Sequence, residues 1–218
     1  MHIKQLARVL RVLSLACVTV SLGAMSAPPT ASVELFNGKD LAGWVGDTGG
    51  YRVEDGAIVC TDKGGNLFTE KEYGDFEFSF EFRLTAGANN GIAIRSPLQG
   101  DPAYAGYEVQ VLDNGAPQYA NLKPYQYHGS IYGIAAAKRE AMKPIGEWNQ
   151  ETIRFVGTKA TVTLNGVAIV SVDLAEVAKD GKTIDEKEHA GLKRTRGHIG
   201  FCGHGDAVAF RNIRVTAL

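Results

Sequence analysis

From Val33 onward the apolar positions of the chain alternate with polar ones, and no sustained helical period appears. The clearest run is Phe76–Leu84, FEFSFEFRL. Phe76, Phe78, Phe80, Phe82 and Leu84 share one face, and Glu77, Ser79, Glu81 and Arg83 share the other. Strands are also predicted over Tyr51–Val53, Ala57–Thr61, Gly91–Ser96, Tyr107–Leu112, Ser130–Gly133, Thr152–Val156 and Ala160–Leu164. Asn165-Gly166 then turns the chain directly into Val167–Val172, the pairing expected of a two-residue hairpin. His198–Cys202 and Val208–Val215 complete the set. Short strands between Gly-rich turns, without βαβ alternation, predict an all-β, two-sheet antiparallel sandwich of jelly-roll type. Leu174–Lys187, charged and interrupted by Asp180-Gly181, reads as a surface excursion that can hold one helical turn.

The first 26 residues follow another pattern. Lys4, Arg8 and Arg11 precede the apolar run Val12–Ala24, and small residues close it, as in a secretory signal cleaved after Ser26. Cys17 lies inside the apolar run, which favours a plain secreted or periplasmic product over a lipoprotein. The expected organisation is therefore a signal over 1–26 and one jelly-roll domain over 33–218, with no membrane insertion after cleavage.

Charge removes one class of partner. The 218 residues carry 23 Lys+Arg and 24 Asp+Glu, so no basic excess is available to bind nucleic acid. Loss of the signal removes three bases and no acid, giving 20 − 24 = −4. Cys60 and Cys202 remain in the exported product, where a disulfide is permissible; their lack of a spacing pattern leaves the pairing open.

Four segments place polar side chains where a sandwich strand does not need them. In Gly106–Asn114, Glu108 and Gln110 share the face opposite Tyr107, Val109 and Val111, so they stand together on an outer sheet surface or on an ordinary solvated face. In Gly87–Arg95, Arg95 alternates with Ile92 and Ile94 and faces away from the core, where it can neutralise a carboxylate or an oxyanion. Lys123–Gly133 concentrates Lys123, three tyrosines including Tyr132, and His128, a combination of aromatic bodies and polar tips that suits sugar faces. Gly197–Asp206 holds His198 and His204 at a spacing that is weak evidence for a metal. No Gly-x-Ser-x-Gly elbow, Walker A loop, His-Glu-x-x-His or Gly-x-Gly-x-x-Gly occurs. Glu77 and Glu81, four apart on one strand, stand about 13 Å apart, too far for a two-carboxylate glycosidase.

Taken in order, Leu35–Leu41 with Trp44, Asn66–Thr69, Tyr73–Phe78, the Asn89-Asn90-Gly91-Ile92 turn, Gly106–Asn114, Ile131–Gly133, Gly146–Asn149, Leu164–Gly166 and Phe210–Ile213 resemble the motifs of the 3-keto-disaccharide hydrolase family. The resemblance covers nearly all of Glu34–Leu218. It implies a concanavalin A-like jelly roll and action on 3-keto-glycosides. A ketone at C3 acidifies the C2 hydrogen, so one base, an enolate stabiliser and a proton donor suffice to expel the aglycone by β-elimination. Water addition then completes a net hydrolysis. On this reading Glu108 or His128 is the base, and Arg95, Lys123 or a bound divalent cation holds the enolate oxygen. Tyr132 gives the leaving group its proton; Asn90, Gln110, Asp113 and His204 contact the carbohydrate. The rival expectation is a non-catalytic carbohydrate-binding module on the same sandwich.

Overall fold

The computed structural model describes residues 31–178 and 183–218. The proposed signal, residues 1–26, falls outside them, as do 179–182 of the Leu174–Lys187 excursion. The strands are β1 (Val33–Glu34), β2 (Trp44–Gly46), β3 (Tyr51–Glu54), β4 (Ala57–Cys60), β5 (Asn66–Tyr73), β6 (Phe76–Leu84) and β7 (Asn89–Ser96). They continue with β8 (Tyr107–Leu112), β9 (Asn149–Val156), β10 (Lys159–Leu164), β11 (Val167–Asp173), β12 (Gly197–Cys202) and β13 (Val208–Ala217). Two short helices, α1 (Pro102–Ala105) and α2 (Leu174–Ala178), interrupt them.

These strands form the predicted two-sheet antiparallel sandwich. The larger sheet runs β11-β10-β9-β6-β13-β4-β3, with β1 also paired to β13, and the smaller runs β2-β5-β12-β7-β8. The alternation of β6 is the reason the sheets close on each other: Phe76, Phe78, Phe80, Phe82 and Leu84 are all buried at the centre of the core. Each such side chain contributes about 1.5–3 kcal/mol of burial. Phe201 of the small sheet stacks on Phe210 of the large one, with ring centroids 3.9 Å apart, and so stitches the layers together. Asn165 and Gly166 adopt φ of +48° and +85°, the left-handed pair that a tight hairpin between β10 and β11 requires.

Two segments in particular differ from expectation. Asn66–Tyr73 is a full strand although it lacks alternation, because Leu67, Phe68 and Thr69 are buried in succession and Glu70–Glu72 then emerge. Ser130–Gly133 is not a strand; only Ile131 bridges Val109. The segment instead folds along the free edge of β8, with Gln110 N donating to Ser130 O (3.0 Å), Gly129 N to Gln110 O (2.7 Å) and Tyr132 N to Glu108 O (2.8 Å). The edge is thereby satisfied without a regular sixth strand. Cys60 and Cys202 are separate buried thiols, Cys60 in the main core and Cys202 packed with Phe68 and Ala93 on the outer face of the small sheet. Among the described residues no helix is long and apolar enough to cross a membrane.

Candidate active site

The inner face of β8 contributes Tyr107, Val109 and Val111 to the core, so Glu108, Gln110 and Leu112 project from the outer face of the small sheet. They form the floor of a cleft of about 440 Å³. One wall is the loop beside the β8 edge, which brings Tyr119, Gln126 and Tyr132; the other is Asp101 and Tyr104 of the α1 turn, with Lys187 at the rim. His204, from the turn between β12 and β13, closes the end over Glu108.

Glu108 is the unusual group. Its residue is only 5% exposed, and Oε1 has no hydrogen-bond partner. The nearest cation is His204, with Nε2 3.6 Å from Oε1, which is ion-pair rather than hydrogen-bond distance. Burial pushes the Glu108 carboxyl above the ordinary carboxylate range, and the His204 charge offsets this only in part. The carboxylate in turn holds the His204 imidazole above its ordinary value. Room for the Glu108 side chain comes from Gly91, its diagonal neighbour on β7. A Cβ at Gly91 would sit 2.6 Å from Glu108 Cγ and 2.7 Å from Cδ.

The aromatic wall is ordered by its own contacts. Tyr132 Oη accepts from Gln126 Nε2 (3.2 Å), and the Tyr132 ring meets Tyr125 and Tyr104 edge-on at 5.7 and 6.3 Å. Burial raises the Tyr132 phenol, so it stays protonated at neutral pH. Lys187 Nζ donates to Tyr104 Oη at 2.9 Å, and that bond holds the lysine above its usual value. The second carboxylate at the cleft, Asp101, is occupied as the cap of α1, accepting from Ala103 N. Among the described residues no group of three or more His, Cys, Asp or Glu side chains is placed to hold a metal ion. The donor set therefore does not by itself make a cation site.

Of the side chains singled out in the sequence, Glu108, Gln110, Tyr132 and His204 meet in this cleft. The others do not. His128 is buried on the core side, its ring 5.1 Å from Phe82 and its Nδ1 accepting from Leu112 N. Its Nε2 lies 2.9 Å from Glu151 Oε2, close enough for an ion pair though outside hydrogen-bond geometry, and Glu151 Oε1 has no partner. Arg95 sits in a β-bulge, where Ile94 and Arg95 of β7 oppose Ile199 alone of β12, and its φ of +47° turns the side chain inward. There it bonds Gly74 O, Gly157 O and Asp75 and lies over Phe155, clamping loops instead of facing a ligand. Asn90 is fully buried on the core face, next to Tyr51 and Cys60, with Oδ1 accepting from Gly91 N. Asp113 accepts from Gly87 N and Gly115 N and joins two turns. Lys123 is exposed ahead of a 3-10 turn and does not line the cleft.

Asn89, Asp101, Tyr104 and Lys187 are cleft residues that the sequence reading passed over. For Asn89 the signal was present: the alternation that sends Ile92 and Ile94 inward also sends Asn90 inward and its neighbour outward. For Asp101 and Tyr104 the signal was the Asp-Pro pair opening a helical turn. Lys187 carried none, because the fold of its segment alone brings it to the rim.

Residues 31–216 match the 3-keto-alpha-glucoside-1,2-lyase-like domain family. A 3-keto-disaccharide hydrolase of Bacteroides thetaiotaomicron is 27% identical over 226 positions, which span 85% of this chain and 78% of that one. Among solved structures, an inferred glycosyl hydrolase of Parabacteroides distasonis superimposes with a TM-score of 0.74 at 28% identity, covering 86% of this chain and all of that one. The carbohydrate-binding module CBM66 of Bacillus subtilis shares the fold alone, with a TM-score of 0.52 at 11% identity, over 80% of this chain and 96% of that one.

Proposed function

Since the chain belongs to the 3-keto-alpha-glucoside-1,2-lyase-like family, we propose that it is an exported enzyme that cleaves 3-keto-glycosides, including 3-keto-disaccharides, by β-elimination. The observation that carries this reading is Glu108, a buried carboxylate with a hydrogen-bond-free oxygen on the floor of a cleft. A carboxylate with few donors is a stronger base than one in water. It removes the C2 proton, and the electron pair moves toward the C3 carbonyl to form an enolate. Lys187 and protonated His204 are the cations beside it, and they oppose the developing negative charge. Collapse of the enolate breaks the bond from C1 to the aglycone oxygen, and Tyr132 supplies that oxygen with a proton. The products are the aglycone alcohol and a 1,2-unsaturated 3-ketone. Addition of water across the double bond turns the elimination into net hydrolysis: the water oxygen bonds C1, Glu108 returns its proton to C2, and the proton released by the water restores the Tyr132 phenol. Gln110 and Asn89 are the amides positioned to orient sugar hydroxyls.

A purely binding module needs only amides and aromatic faces, and a desolvated carboxylate would weaken it. The basic and then apolar pattern of residues 1–26 supports export, and a mature N-terminus at Ala27 in the secreted fraction is the expected result. The test of the chemistry mixes mature protein with a 3-keto-glucoside and with its unoxidised counterpart, with and without chelator. Enone absorbance and aglycone release are followed together. Release from the keto substrate alone, abolished by Glu108→Gln, is expected. Release that survives Glu108→Gln would remove Glu108 as the base, and sugar binding without release would favour the binding module. Activity lost on chelation would add a divalent cation as a holder of the enolate oxygen.

A further inference from the structure

The segment Thr183–Lys193, which carries Lys187 to the cleft rim, is anchored by a buried Asp–His couple outside the cleft. His189 and Asp185 side chains are 0% and 1% exposed, and neither lines the cleft. His189 Nε2 lies 3.0 and 3.1 Å from the two Asp185 carboxylate oxygens, and its Nδ1 lies 3.0 Å from the carbonyl oxygen of Ala103 in α1. A carbonyl only accepts. Asp185 Oδ1 also receives Thr183 Oγ1 (2.7 Å) and Lys187 N (3.1 Å), donors that favour the carboxylate form. The ring therefore donates from Nδ1 to Ala103, and its Nε2 faces both oxygens of Asp185, so both ring nitrogens are held.

Several contacts of this couple lead to cleft groups. The His189 ring packs on the Tyr104 ring, centroids 4.8 Å apart, and Tyr104 Oη receives Lys187 Nζ. Asp185 N donates to Gly133 O, directly after Tyr132. Gly133, at φ +70°, leaves the space that the couple fills: a Cβ there would stand 2.7 Å from His189 Nε2 and Cε1. Gly191 closes against the backbone of Gly106, just beyond α1, where a Cβ would collide with the Gly106 carbonyl. Substituting Asp185 or His189 removes the bridge that the imidazole makes between Ala103 O of α1 and the Asp185 carboxylate.

We propose that Asp185 and His189 are positioning residues that hold Lys187 and Tyr104 at the cleft in the geometry the reaction uses. This rests on the β-elimination reading above. The effect is transmitted through Lys187, so the energetic signature is non-additivity. The test is a double-mutant cycle of His189→Ala and Lys187→Ala on the full mature chain, with 3-keto-glucoside as substrate. Asp185→Asn, which keeps the shape and removes the charge, serves as the milder variant should His189→Ala fold poorly. Each single substitution is expected to lower kcat/KM about tenfold or more, and the double variant is expected to be no worse than the poorer single one. Amide hydrogen exchange over 101–106 and 183–193 reads the anchor without any substrate. It is expected to accelerate in His189→Ala and Asp185→Asn and to stay unchanged in Lys187→Ala.

Multiplying losses in the double variant, as a generally weakened structure would give, overturn the positioning role. Unchanged exchange in both His189→Ala and Asp185→Asn overturns the anchor itself. A wild-type protein that leaves 3-keto-glucoside intact while exchange responds as expected refutes the reaction and keeps the anchor.

Discussion

Gly91→Ala tests the cleft by moving its base without touching it. Gly91 is not among the glycines at positive φ, so alanine fits the backbone there. Its new methyl would stand 2.6 Å from Glu108 Cγ and 2.7 Å from Cδ, where carbon atoms require about 3.5 Å or more. The blocking atoms belong to the end of a flexible side chain, so the carboxylate moves by about 1 Å and the strand stays in place. A displacement of that size costs about 100-fold when a reacting group must meet its target in line. This corresponds to about 2.7 kcal/mol of lost transition-state stabilisation. The fold is spared, because replacing a strand glycine with alanine returns about 0.5–1 kcal/mol of chain entropy. The assay is kcat/KM on a 3-keto-glucoside by enone absorbance, paired with a thermal melt. Gly49→Ala, exposed and with only an ordinary contact to Asp47 at 3.9 Å, is the control and is expected to match wild type. A Gly91→Ala protein that melts like wild type and keeps kcat/KM within twofold would refute the placement of Glu108 as base.

Three further outcomes follow from the same geometry. Burial raises the Glu108 carboxyl, so its ionised form costs stability above the raised value and protonation relieves that cost as pH falls; Glu108→Gln is expected to raise Tm at neutral pH while abolishing turnover. The base works when ionised, so the acid limb of the pH–rate profile lies above that of an ordinary carboxylate, and His204→Ala, which removes the nearby cation, moves it higher still; a limb that stays put or falls in His204→Ala would sever the pair. His128→Ala leaves Glu151 as an unpaired buried carboxylate and is expected to cost about 3–5 kcal/mol in urea denaturation, with the pH–rate profile of the surviving folded enzyme unchanged in shape.

Strand periodicity alone determined the sandwich. Five apolar residues on one face of β6 demand a second layer, and Asn165-Gly166 dictates a hairpin, because both rules act within a few residues of chain. The same alternation put Glu108 and Gln110 on one outer face, and it would have put Asn89 there in place of Asn90. What sequence could not reach depends on contacts between distant segments. Arg95 turns inward only because β7 bulges against β12, and His128 is buried only because its loop folds back under Phe82 toward Glu151. His204 meets Glu108 across 96 residues of chain, and Lys187 arrives at Tyr104 on a segment held by Asp185 and His189. The alternation of a strand tells which way a side chain points from its own sheet. Which other groups wait there, and whether water is excluded from them, is decided when the loops close over that face.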